Sequence, residues 1–178
     1  MKQALAILGC AFALAASAYT HAEPIYTYDS GTWSLRGYAD RVKPDNNACV
    51  LSSRWVDGKE VKVNVFPKYN GAQNVTMTVY NPQWNFAMSG NTYETNVDFY
   101  SSKYATRNLD GYVQVKAANR LIFRRMNETF SQSFVHYDTM VVFAGTQNQL
   151  SVDLTGTANL TSALDECIQV VLYPDYED

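Results

Sequence analysis

The chain has 178 residues, 14 Lys and Arg against 17 Asp and Glu, and a formal net charge of −3 at pH 7. This length suits one domain once a leader is removed, and a mild, dispersed acidity argues against a nucleic-acid partner, which shows as a basic excess. The count of 13 Tyr against 5 Pro speaks for an ordered, β-rich domain.

Residues 1–22, MKQALAILGCAFALAASAYTHA, read as a secretory signal peptide. Lys2 is followed by an apolar run from Ala4 to Ala16 and then by small residues. The run is shorter than the roughly 20 residues that cross a bilayer. Cleavage fits after Ala18 or after Ala22. The polar stretch Thr20-His21-Ala22 favours Ala22, which leaves residues 23–178 as one β-rich domain with a short acidic tail. The short Lys-led start looks bacterial, so the expected destination is the periplasm or the outside of the cell. Ile7-Leu8-Gly9-Cys10 resembles a lipoprotein processing site, but the apolar core continues through Ala11-Phe12-Ala13-Leu14. A lipoprotein turns polar there, so Cys10 is expected to leave with the leader and not to carry a lipid anchor. No later apolar run is long enough for a transmembrane segment.

In chain order, residues 32–39 alternate as a strand, with Trp33, Leu35 and Gly37 on one face. The cluster Lys43-Pro44-Asp45-Asn46-Asn47 is a turn. Strands are expected over 49–56 and 59–66 around Asp57-Gly58, a two-residue hairpin turn that needs positive φ at both positions. Asn70-Gly71 marks another turn, and Thr76–Tyr80 another strand. After the turn Ser89-Gly90-Asn91, residues 92–100 set Tyr93, Thr95, Val97 and Phe99 against Glu94, Asn96 and Asp98. Residues 112–117 and 121–123 read as strands. Met126, Phe130, Phe134 and Tyr137 then recur at helical spacing, with Asn127 as N-cap and Glu128 in the first turn. Residues 139–144 and 149–155 return to strand around a turn at 145–148. Leu160, Ala163, Leu164, Cys167 and Ile168 form a second helical stripe capped by Asn159. Ile168–Tyr173 is expected to close the domain as a strand, and 174–178 to be a solvated tail. The fold class this predicts is mainly β: an antiparallel β-sandwich or partly open barrel with two short helices late in the chain.

Cys49 and Cys167 remain after processing. In an oxidising compartment they are expected to pair, fastening the last helix to an early strand. His136 is the one histidine of the mature chain, so no histidine metal cluster is expected. It sits two residues before Asp138, a pairing that could orient a general base, although a histidine at a helix end is the simpler account. Glu94 and Asp98 share a strand face but stand roughly 13 Å apart, wider than the usual glycosidase pair. No phosphate loop, nucleophile elbow or CxxC is present, and no cofactor is expected. Lys116, Arg120, Arg124 and Arg125 form the densest basic patch.

The most specific exposed feature is FYSSKYATRNLDGY, where Tyr100, Tyr104 and Tyr112 bracket Lys103 and Arg107. Tyr and Arg are favoured in binding surfaces, and these five residues are the candidate binding site for a protein or an envelope macromolecule.

The order of a tryptophan strand (Trp33), Cys49-Val50, a valine strand, a Phe130/Phe134 helix, Met140-Val141-Val142-Phe143 and Leu150-Ser151-Val152-Asp153-Leu154 carries a resemblance. With Thr155-Gly156-Thr157 leading into Ser162-Ala163-Leu164 and Cys167, it resembles the small exported proteobacterial β-proteins of the invasion-associated locus B family. The resemblance implies an exported protein with a host-interaction or envelope role, and it supplies no catalytic residue. The function expected is therefore a non-enzymatic envelope binding protein. The alternatives are an inhibitor of a periplasmic or host hydrolase such as lysozyme, and a hydrolase whose acids assemble in space.

Overall fold

The computed structural model describes residues 23–40, 42–69, 72–87, 92–126, 128–143 and 146–173. The proposed leader with Cys10, the turns at 70–71 and 89–91, Asn127 and the acidic tail lie outside the described residues. The strands form one antiparallel ten-stranded sheet in the order β1-β2-β3-β4-β5-β8-β7-β6-β9-β10. They are β1 (Tyr26–Ser30), β2 (Trp33–Tyr38), β3 (Ala48–Arg54), β4 (Glu60–Tyr69), β5 (Ala72–Tyr80), β6 (Thr92–Tyr100), β7 (Arg107–Ala117), β8 (Arg120–Met126), β9 (Thr139–Val142) and β10 (Leu150–Asp153). Among the described residues the sheet is single and open, the partly open form of the expected mainly β fold. It curls far enough to bring β2 within hydrogen-bond reach of the end of β10. The Trp33 indole N–H donates to the Asp153 carbonyl at 3.2 Å, joining β2 to β10.

Alternation decides which residues face inward. Trp33 and Leu35 on β2, Cys49 and Leu51 on β3, Val61, Val63 and Val65 on β4, and Val97 and Phe99 on β6 all enter one continuous core. Helix α1 (Glu128–His136) adds Phe130 and Phe134. The Phe134 ring meets Trp33 edge-on at 5.1 Å between centroids. A second helical segment begins as a 3-10 turn over Thr157–Asn159, becomes α2 over Leu160–Cys167 and widens to a π-turn over Ile168–Leu172.

The disulfide expected from the sequence joins Cys49 and Cys167, with Cα atoms 6.2 Å apart. Both residues are fully buried. Gly37 leaves the room for it. A Cβ there would stand 2.6 Å from Val171 Cγ2, 2.9 Å from Tyr26 Cβ and 3.0 Å from Cys167 Sγ. Buried Asn47 secures the same joint, donating from Nδ2 to the Val171 carbonyl at 2.8 Å and accepting the Asp40 N–H at 2.7 Å.

Several local expectations need correction. Ile168–Leu172 continues the helix and is not a strand, because helical winding buries Val171 and Leu172 together. Asn159 has helical φ and ψ and makes no side-chain cap. At the β3–β4 turn only Gly58 has positive φ, at 83°. The Gly58 N–H donates to the Trp55 carbonyl at 2.9 Å, so the loop closes through Val56, Asp57 and Gly58 and not through two residues. β9 stops at Val142 because Phe143 takes a φ of 56°. β1 adds an edge strand that the sequence pattern does not mark, and β7 begins at Arg107, before the expected 112.

Candidate functional site

β6 ends at Tyr100 and β7 begins at Arg107, with Phe99 paired to Arg107 across the ladder. The intervening loop rests on Tyr137 and Asp138, which follow α1. The Asp138 N–H donates to the Tyr100 carbonyl at 3.0 Å. Its carboxylate accepts the Ser102 N–H at 2.9 Å. That backbone bond, with the Ser101 hydroxyl beside it, holds the Asp138 carboxyl below its ordinary value of 3.8. The Tyr137 hydroxyl donates to the Ala105 carbonyl at 3.0 Å. Its ring is buried beside Phe99, with centroids 5.8 Å apart. The Tyr104 ring lies 5.8 Å from the Tyr137 ring at 44° between planes, and the Arg107 guanidinium lies 5.8 Å from that ring's centre.

The structure therefore gathers Tyr100, Lys103, Tyr104 and Arg107 around one loop. Tyr104 is 54% exposed and Tyr100 40%. Lys103 is also exposed. Arg107 differs from them. It alternates with the inward side of β7, and its guanidinium donates to the buried Ser133 hydroxyl on α1 at 3.3 Å. Tyr112 does not join the group. It lies in mid-strand on the outer face, opposite Glu94 and Arg124, roughly 17 Å along β7 from Arg107.

The acids weighed for catalysis are also placed. Glu94 and Asp98 stand on the outer face of β6, roughly 13 Å apart. Asp98 accepts the Asn108 side-chain amide at 2.6 Å and the Tyr100 hydroxyl at 3.4 Å. The Tyr100 pKa is raised by desolvation and by the Asp98 carboxylate. His136 is exposed at the end of α1, while the Asp138 carboxylate serves the 100–107 loop. Among the described residues no group of three or more His, Cys, Asp or Glu could hold a metal ion. Of the basic patch, Lys116, Arg120 and Arg124 are exposed, with the Arg120 guanidinium over the Tyr80 ring at 5.7 Å. Arg125 falls where the β5–β8 register shifts.

The sequence pattern sets Tyr137 on the α1 stripe and Asp138 beside His136, apart from this loop. Their only local signal was a polar-aromatic pair at a helix end, more than thirty residues from the loop they support. No helix among the described residues is long and apolar enough to cross a membrane. The chain matches no protein-family model, and neither the curated proteins nor the solved structures yield a match. The resemblance to the invasion-associated locus B family thus rests on the sequence pattern alone.

Proposed function

We propose that this chain is an exported, non-catalytic binding protein of the bacterial envelope that captures a macromolecule through the 100–107 loop. The observation that carries this reading is Tyr104. Its ring is 54% exposed, yet it leans on Tyr137 in a loop tied down at Ser102 and Ala105. An aromatic side chain held this way loses little conformational freedom on binding. Lys103 and Tyr100 flank it with a charge and a second ring. The buried Cys49–Cys167 bridge supports an oxidising compartment.

A rigid loop on a disulfide-fastened scaffold also suits the hydrolase-inhibitor reading, and one experiment addresses both. Immobilised wild type and Tyr104→Ala are offered isolated peptidoglycan, lipopolysaccharide and lysozyme. The binding reading expects one of these to be retained by the wild type and released roughly tenfold more readily by Tyr104→Ala. A stable equimolar complex with lysozyme selects the inhibitor. Equal retention by both proteins refutes the loop assignment. Turnover of a glycan that Asp98→Ala or His136→Ala abolishes replaces binding with hydrolysis.

A further inference from the structure

One rim of the sheet collects cations. Outward residues at the ends of β3, β4, β5 and β8 fall in a single cross-strand row, with Arg54 opposite Glu60, Glu60 opposite Tyr80 and Tyr80 opposite Arg120. Glu60 is the carboxylate of this row, and Arg54 at 3.2 Å and Lys62 at 2.8 Å share it. The Arg120 guanidinium lies over the Tyr80 ring at 5.7 Å. Lys116 stands near Arg120, where the β7–β8 register shifts. It is exposed and makes no ion pair among the described residues. Arg54, Lys62, Lys116 and Arg120 therefore outweigh Glu60, a local positive excess in a chain of formal net charge −3. The adjoining loops do not offset it. Residues 81–91 and 118–119 carry no charged side chain, and the Asn81 N–H ties the two together by donating to the Asn119 carbonyl at 3.0 Å.

The same rim carries an apolar side chain that nothing covers. Val56, in the turn between β3 and β4, is fully exposed. The turn beneath it is ordered. The Trp55 N–H donates to the Lys59 carbonyl and the Gly58 N–H to the Trp55 carbonyl, both at 2.9 Å. The Trp55 ring meets Trp33 edge-on at 6.0 Å, and a Cβ on Gly58 would touch Pro82 Cγ at 3.5 Å. Within the turn, Asp57 and Lys59 neutralise each other at 2.7 Å. Val56 is thus held outward on a fixed turn, two residues beyond Arg54 of the cation row.

We propose that this rim docks on the surface of an anionic phospholipid bilayer. Such a surface offers negative charge at its headgroups and an apolar layer just beneath them. The cation row meets the first, and Val56 reaches the second. An anionic glycan would satisfy the cations but has no apolar layer for Val56, and an acidic protein would need a pocket matched to that side chain. A fluid bilayer needs no match. The contact is peripheral and reversible, because the cations act only within a screening length of about 10 Å at 0.1 M salt and a single valine is a small anchor. The rim lies at the Ala117 end of β7 and the 100–107 loop at the Arg107 end. Docking leaves that loop uncovered, so this inference stands or falls independently of the binding reading.

The test is flotation of the oxidised, processed chain with vesicles of mixed phosphatidylglycerol and phosphatidylcholine, and with vesicles of phosphatidylcholine alone, at about 20 mM and about 0.5 M salt. The expected result is binding to the anionic vesicles at low salt, roughly tenfold or more above the neutral ones, and release at high salt. Lys116→Ala should weaken partitioning roughly fivefold and flatten its salt dependence. Val56→Ser should weaken it roughly threefold and leave the salt dependence as it is. Both positions are exposed, so both melting curves should match the wild type. Tyr104→Ala should bind the vesicles as the wild type does, whatever it does to retention of another macromolecule. A wild type that ignores anionic vesicles, that binds neutral ones equally, or whose binding survives both rim substitutions overturns the proposal. Vesicle binding lost with Tyr104 moves the contact to the loop and also overturns it. If soluble polyglutamate is retained through Lys116 while vesicles are not, the rim belongs to an acidic protein and the lipid assignment is wrong.

Discussion

Where β3 meets the C-terminal helix, the contact is a covalent bond between two fully buried sulfurs, packed against a glycine that has no room for a methyl group. Where the loop joins β6 to β7, the contact is a handful of hydrogen bonds to Asp138 and Tyr137, and Tyr100 and Tyr104 stay exposed. The first joint spends its residues on closure and leaves few exposed groups with a task. The second uses side chains from another element to hold a loop whose own side chains stay available. The comparison teaches that order and exposure are compatible when the supporting groups come from elsewhere in the chain. It also separates the residues whose loss should unfold the domain from those whose loss should only disarm it.

The largest effect is expected at the covalent joint. The bridge spans a sequence separation of 118, for which the chain-entropy estimate is about 4–5 kcal/mol. Replacing both Cys49 and Cys167 with Ala should lower the melting temperature by roughly 10 °C or more, read by calorimetry. The native oxidised protein should resist thiol alkylation without reductant. Rapid labelling would show that the joint is not closed.

Gly37→Ala sharpens the same side of the comparison. Its methyl group would meet Val171 Cγ2 at 2.6 Å, and forcing the helix outward should cost about 1–3 kcal/mol. An unchanged denaturant midpoint would mean that the helix is not pressed against β2.

Arg107→Ala probes the second joint. Loss of its stacking on Tyr137 and of its bond to Ser133 should cost about 1 kcal/mol in chemical denaturation. Because Arg107 points inward, any loss of capture in this variant should track the loss of loop order.

A smaller effect follows from pH. The Asp138 carboxyl titrates below its ordinary value of 3.8, so its contribution is present above that value and disappears as pH falls through the lower folded-state value. Hydrogen exchange at the Ser102 amide, corrected for intrinsic rate, should accelerate only below that point. Acceleration between neutral pH and pH 5 would contradict the assigned bond.

Much of the sheet was legible because inward and outward residues alternate cleanly. β6 runs from Thr92 to Tyr100, as Tyr93 to Phe99 foretold. The two cysteines and the second helical stripe were equally readable, while of the first stripe only Phe130 and Phe134 lie on α1, since Met126 ends β8 and Tyr137 follows the helix. β1 was hidden because YTYDS is mostly exposed at an edge and has no apolar period. The start of β7 was hidden because Arg107-Asn108-Leu109-Asp110 looks like loop, which placed Tyr112 with Tyr104 when the strand parts them. Ile168–Leu172 carries β-branched residues that suit a strand, but the helix bonded through Cys167 carries them inward. The support of the loop by Tyr137 and Asp138 is a long-range contact, and local spacing holds no trace of it.

The most direct test of the account compares Tyr104→Ala with wild type in two readings on the same samples, the melting temperature and the retention of the captured envelope macromolecule. Tyr104 is exposed, so stability should change by within about 0.5 kcal/mol, while retention should fall roughly tenfold or more. Retention that is unchanged, or that falls only as far as stability falls, would contradict the claim that this loop is held in order so that Tyr104 can bind.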